Sequence, residues 1–343
     1  MALNHTRSEA KKGMMSSKNE LNIAEKIAVW VLWAKCWTIA IMPHFVRYRI
    51  YAPFVRFVMR RVIRYRVAVV DSNLKRCLPE LSDKEREEIR EKFYTYFSEI
   101  VISTLSLART SSWRSIFPKG KNIDDSVAAQ TEGTMENMRA RMERDDQSAI
   151  VFTAHLGLWE YILFFAKFSG ITSVGAYHPL ENKIMNELFK RLRSHEKSLT
   201  IPSNEVIRFA IRNGKRYNGE KYALGLIADQ NPPLARDTNW YKFLAEETIF
   251  FEGGEKIAAK IELPIYYLYQ LRTAPGRYEI RYKIVWDGKE KVEPTQITRR
   301  YVKLLEESIR NTPELWLWSH KRFKRTKAVQ MYMYDIPEPK TIE

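Results

Sequence analysis

Cysteine is nearly missing from this 343-residue chain. Cys36 and Cys77 lack the paired spacing of a disulfide framework or a metal knuckle, so free thiols in a reducing compartment are expected. Acidic residues are missing altogether from Ile27 to Val70. That block holds Lys35, Arg47, Arg49, Arg56, Arg60, Arg61, Arg64 and Arg66, half of a formal excess of +16. Such a balance calls for an anionic partner: nucleic acid, an anionic membrane or an acidic substrate. Helix-turn-helix, RNA-recognition and zinc signatures are lacking, which argues against nucleic acid. No two histidines flank a glutamate at metalloprotease spacing, so no metal is expected. No apolar run reaches the about 20 residues of a perpendicular membrane span. No cleavable secretory signal is recognisable, because the first apolar stretch starts late, contains Lys35 and lacks a small-residue cleavage site.

What is present begins with a polar N-terminus, residues 1–22, expected to be mobile. Ile27 to Met42 is then an apolar helix broken by one lysine and ended by Pro43, short enough to be re-entrant or interfacial as well as spanning. Trp30, Trp33 and Trp37 recur at helical spacing and form a stripe suited to the headgroup boundary. After Pro53, apolar positions alternate with Arg56, Arg60 and Arg64 at four-residue steps, the pattern of a basic amphipathic helix. Such a face is either merely solvated or lies on anionic lipid, each surface cation then contributing about 1 kcal/mol. Residues 23–75 are therefore expected to anchor the chain to a membrane.

Ser82-Asp83-Lys84-Glu85 has capping-box form and opens a long packing helix over 83–107. A further helix is expected near 125–143. Beyond it strand patterns at 148–154, 172–177, 222–228, 263–270 and 277–286 alternate with helices near 157–169, 181–197, 203–213, 254–262 and 295–311. This alternation predicts an α/β fold, a central sheet flanked by helices, over residues 76–330, with a tail at 331–343.

Where the apolar strand Ala149 to Thr153 gives way to a helix pattern stands His155-Leu156-Gly157-Leu158-Trp159-Glu160. In one helix a five-residue step turns side chains about 140° apart, so His155 and Glu160 meet only if His155 precedes the helix. Glu160 in the first turn would accept a hydrogen bond from one imidazole nitrogen and leave the other free to take a proton. The competing reading is a histidine that caps a turn beside an ordinary first-turn acid.

The motif resembles that of the bacterial lipid A biosynthesis acyltransferases, the lauroyl and myristoyl transferases of the lysophospholipid acyltransferase-like group. The resemblance is carried by Tyr65-Arg66-Val67, Asn73-Leu74, His155 to Glu160, Tyr177-His178-Pro179-Leu180-Glu181-Asn182, Arg191-Leu192-Arg193-Ser194, Asp229-Gln230-Asn231-Pro232, Phe250 to Gly254 and Pro313 to Lys324, in that order. It implies a glycerolipid acyltransferase-like mixed sheet. It also implies transfer of a fatty acyl chain from acyl carrier protein or coenzyme A to a hydroxyl of a glycolipid, at the cytoplasmic face of the bacterial inner membrane. No cofactor beyond that acyl thioester is expected.

On this reading His155 is the general base and Glu160 its orienting acid, with no covalent intermediate. Arg193 and backbone amides near Gly157 are candidate oxyanion donors. Asp229 orients an arginine or substrate, or else starts a turn. Gln230, His178 and Arg191 complete the expected substrate contacts. Only one of Arg191 and Arg193 can face the site from a helix. Many relatives carry arginine where this chain has His178, which cannot give a bidentate phosphate contact. The acceptor is then a lipid A precursor or another glycolipid, with aminolipid or pigment-type lipids as alternatives. A non-catalytic basic module that binds membrane or nucleic acid is the alternative from another class.

Overall fold

The computed structural model describes residues 21–109, 132–164, 166, 169–194 and 197–343. The expected mobile N-terminus lies almost wholly outside them, as does the first part of the helix expected near 125–143.

Helix α1 (Ile23–Ile41) opens on a capping box between Asn22 and Glu25 and stops before Pro43. Helix α2 (His44–Val62) returns at 113° to it. Its turns are of π type at Arg47–Tyr51 and Val58–Val62. Pro53 has no N–H to donate, and the Ala52 amide reaches past one turn to the Arg47 carbonyl. Helices α3 (Val67–Cys77) and α4 (Asp83–Ser106) follow, α4 beginning with the expected Ser82/Glu85 capping box. Among the described residues no single helix is long and apolar enough to cross a membrane; α1 and α2 meet the length and composition for it only together, as a bent pair.

The expected outward basic face of α2 is corrected. Arg56 and Arg60 both bond Glu91 of α4 at 2.9 Å, and Arg60 also lies over the Tyr94 ring. The apolar side is the one turned out, Phe54 being 63% and Phe57 57% exposed. The acidic start of α4 supplies the countercharge, which periodicity within α2 cannot reveal. Arg64 is exposed, in left-handed conformation, where α2 ends. Trp30 and Trp37, seven residues apart, share an exposed face, whereas Trp33 leans onto the core.

The remaining chain runs through β1 (Glu132–Thr134), α5 (Met135–Arg144), β2 (Ala149–Thr153), a 3-10 turn (Trp159–Phe164), β3 (Thr172–Tyr177), α6 (Lys183–Arg193), β4 (Ser198–Pro202) and α7 (Val206–Asn213). It continues through β5 (Tyr222–Ile227), β6 (Trp240–Phe243), β7 (Glu246–Ile249), α8 (Gly253–Ile261), β8 (Ile265–Ala274), β9 (Arg277–Trp286), α9 (Gln296–Asn311), α10 (Lys327–Tyr334) and β10 (Thr341–Ile342). Within the described part of the helix expected near 125–143, Glu132–Thr134 is a strand paired with β9, and Thr134 caps α5, which opens at Met135, through Asn137.

The mixed seven-stranded sheet has the order β1-β9-β8-β2-β5-β3-β4, parallel from β8 to β4, and a second sheet has the order β10-β6-β7. All of β2 is buried, as a parallel strand covered on both faces must be. Ile150 and Phe152 join the core under α3, α8 and α9, while Ala149 and Val151 join the core under α1, α4, α5 and α6. Gly254 lets α8 close on the sheet: a Cβ there would stand 2.4 Å from Phe152.

Candidate active site

The site lies at the carboxyl ends of neighbouring parallel strands, where α/β sheets open a crevice. Thr153 of β2 pairs with Ile227 of β5, and His155 and Asp229 each follow two residues later. The Thr153 carbonyl accepts from the Ala228 amide at 3.0 Å and the Tyr301 hydroxyl at 2.9 Å, which fixes both strand ends. Beyond them, Asp229 Oδ1 stands 2.7 Å from His155 Nδ1, and Asp229 Oδ2 accepts the His155 amide and the Trp316 indole N–H, both at 3.0 Å.

Asp229 is 3% exposed. Burial alone would raise its pKa, but His155 and the hydrogen bonds from His155 and Trp316 outweigh it and hold the carboxyl below its ordinary range. An ionised Asp229 only accepts, so Nδ1 carries the imidazole proton and Nε2 presents its lone pair. Gln230 Nε2 donates to that nitrogen at 3.1 Å. Trp159 packs against the imidazole with ring centroids 5.1 Å apart.

The C-terminal segment holds the loop in place. The Leu317 amide donates to the His155 carbonyl at 3.0 Å and the Gly157 amide to the Leu315 carbonyl at 2.9 Å. Gly157 has φ +67°, and a Cβ there would stand 2.7 Å from Gln270 Oε1. Gln270 grips the main chain of Leu158 through both ends of its amide, at 2.8 and 2.7 Å. The amides of Gly157, Leu158 and Trp159 are thus all committed, which removes these three from the expected oxyanion donors.

The expected His155–Glu160 hydrogen bond is also corrected. Glu160, buried at the start of the 3-10 turn, takes a two-pronged bond from Arg193 at 2.8 and 2.6 Å. Burial would lower the Arg193 pKa, and Glu160 more than offsets it. Arg191 points elsewhere: it lies 4.6 Å over the Trp30 ring and pairs with Glu187. His178 is exposed just past β3, with no contact to His155 among the described residues. Of the expected site residues, His155, Asp229 and Gln230 come together, Glu160 and Arg193 form a separate pair, and Arg191 and His178 join neither.

Three contributors were not singled out by sequence for these tasks. Trp316 is a 2% exposed core residue and also bonds the key carboxylate. Asn73 donates to the Trp318 and His320 carbonyls at 2.7 and 2.8 Å. Arg322 is buried without a carboxylate within ion-pair reach among the described residues, bonding Asn231, Thr248 Oγ1 and the Ile249 carbonyl over the Phe250 ring. Their signal lay in the Asn73 and Pro313 to Lys324 motifs, whose contacts are too distant in sequence to pair by eye. Among the described residues no group of His, Cys, Asp and Glu forms a metal site.

The family model described as bacterial lipid A biosynthesis acyltransferase matches residues 14–325. The chain belongs to that family. No curated protein matches it. Membership of this acyltransferase family sets the class of chemistry, acyl transfer in lipid A-type biosynthesis. The His155 crevice is where that chemistry has its candidate groups.

Proposed function

We propose that this family member is a membrane-associated O-acyltransferase that moves a fatty acyl chain from an acyl carrier protein or coenzyme A thioester to a hydroxyl of a lipid A precursor or related glycolipid. The observation that supports it best is the buried Asp229 on His155 Nδ1, which leaves Nε2 basic at the crevice.

Nε2 takes the proton of the acceptor hydroxyl as its oxygen attacks the thioester carbonyl. The tetrahedral intermediate then expels the thiolate, which recovers that proton from the imidazolium. Asp229 stabilises the charged ring between the two steps. The arriving hydroxyl displaces Gln230 from Nε2, freeing its amide to donate to the oxyanion; Arg193, kept in place by Glu160, is the second donor. Membrane association would use the exposed apolar side of the bent pair, including Ile23, Ile27, Trp30, Phe54, Phe57 and Val62. Bacterial inner-membrane residence, with the crevice on the cytoplasmic face, follows as part of the same proposal.

The purified full chain with acyl carrier protein thioester and lipid A precursor tests it. Acyl transfer is expected, and His155→Ala should lower kcat by at least about a hundredfold. Undiminished transfer by that variant would remove the base from the mechanism. Lipid mass spectrometry of wild-type and deletion strains reads acceptor and chain length together; loss of an acylated aminolipid or pigment instead of an acylated glycolipid would overturn the acceptor assignment.

A further inference from the structure

We propose that the cavity between α3 and residues 321–324 binds a phosphate ester carried by one of the two substrates, a subsite joined to the His155 crevice; this rests on the acyl-transfer reading above. The cavity measures about 310 Å³ and is walled by Ala68, Ser72 and Arg76 of α3, facing Lys321, Phe323 and Lys324. Ala68, Ser72 and Arg76 are four residues apart and so line one helical face.

The charge balance selects the ligand. Arg76 is tied to Glu246 by two bonds of 2.7 and 2.6 Å and lies over the Phe323 ring. Lys321 and Lys324 are exposed and have no carboxylate within ion-pair distance among the described residues. One carboxylate against three cations leaves two positive charges, a match for one phosphate group of charge about −1 to −2. Lysine binds phosphate as a point charge, and Ser72 adds a hydroxyl donor. The apolar wall of Ala68, Val69 and Phe323 suits the organic part of an ester better than a bare ion.

Connection to the crevice is covalent and short. The segment that supplies Lys321 and Lys324 also supplies Trp316 to Asp229 and the Leu317 amide to the His155 carbonyl. Asn73, which lines the cavity, holds the Trp318 and His320 carbonyls, so cavity wall and crevice wall form one braced unit. Phosphopantetheine thioesters and phosphorylated glycolipids both carry a phosphate away from the reacting group. On this proposal either substrate seats its phosphate here and presents its other end to His155.

The test uses the full chain and its Lys321→Ala/Lys324→Ala variant. Calorimetry compares 4'-phosphopantetheine with pantetheine, and glucosamine 1-phosphate with glucosamine. Wild type should bind at least one phosphorylated probe about tenfold tighter than its counterpart, and the variant should lose that preference. In transfer assays the KM of the phosphate-bearing substrate should rise about tenfold with kcat within about twofold, and Lys321→Arg/Lys324→Arg should restore it. Whether the donor or acceptor KM rises assigns the phosphate to its source. A phosphate preference absent from wild type, or kept by the alanine variant, overturns the subsite. Lysine-dependent probe binding by a chain that transfers no acyl group would keep the subsite and discard the acyl-transfer reading.

Discussion

At the scale of residues, two carboxylates compete for the role of imidazole partner, and their surroundings separate them. Asp229 spends one oxygen on Nδ1 and the other on the His155 amide and the Trp316 indole, whereas both Glu160 oxygens are engaged by Arg193. Asp229→Asn should therefore release the tautomer and lower kcat by about a thousandfold with little change in KM. Glu160→Gln should cost about ten- to a hundredfold, and its effect should not add to that of Arg193→Ala, because both variants break one pair. Steady-state kinetics of these three single variants and of the Glu160→Gln/Arg193→Ala double variant checks this. A mild Asp229→Asn beside a severe Glu160→Gln would return the imidazole to Glu160. His155 was legible because an apolar strand ending in His and Gly marks a reactive strand end. Its partner was not, since 74 residues separate them and only the pairing of β2 with β5 brings them level.

At the scale of elements, the strands read best from sequence were those buried on both faces, such as β2 and β5, because unbroken apolar runs leave little choice. β4, β6 and β7 went unseen, because they mix polar with apolar side chains and stay partly exposed. The α1–α2 pair shows a different limit: periodicity finds two faces but cannot say which turns inward. With Glu91 holding Arg56 and Arg60, substitutions on the two faces should have opposite consequences. Arg56→Ala/Arg60→Ala should reduce folding stability by about 1 kcal/mol, since these pairs are partly exposed, and leave binding to anionic vesicles within about twofold. Ile27→Glu/Phe57→Glu should leave stability nearly unchanged and weaken vesicle binding at least about tenfold, each lost side chain being worth about 1.5–3 kcal/mol when buried in lipid. Thermal unfolding and flotation with anionic vesicles measure the two effects. A reversed pattern would put the arginines on the membrane after all.

At the scale of the whole molecule, the segment from Trp316 to Phe323 closes over the strand ends and ties α3, the second sheet and the crevice together. Closing it buries groups that would rather be charged. Burial lowers the Arg322 pKa to about 10, and it lowers that of His320 to about 4, the nearby Asp229 only partly opposing the second effect. The folded chain therefore keeps His320 neutral between pH 6.5 and about 4, while the unfolded chain protonates it. In that window the unfolded state binds more protons, so folding stability rises with pH; the contribution is complete above 6.5 and is lost on acidification toward 4. After allowance for solvent screening the span is about 2 kcal/mol. His44, depressed by burial and by Arg277 and Arg47, works in the same direction. The held-down Asp229 also favours folding above its range, but its contribution fades only below the ordinary carboxylate value of 3.8, outside this window. Urea unfolding at pH 7.5 and 4.5 should thus show a larger loss of stability for wild type than for His320→Gln, by about 2 kcal/mol. Equal losses for the two proteins would mean that acid opens the molecule somewhere other than the segment that closes its crevice.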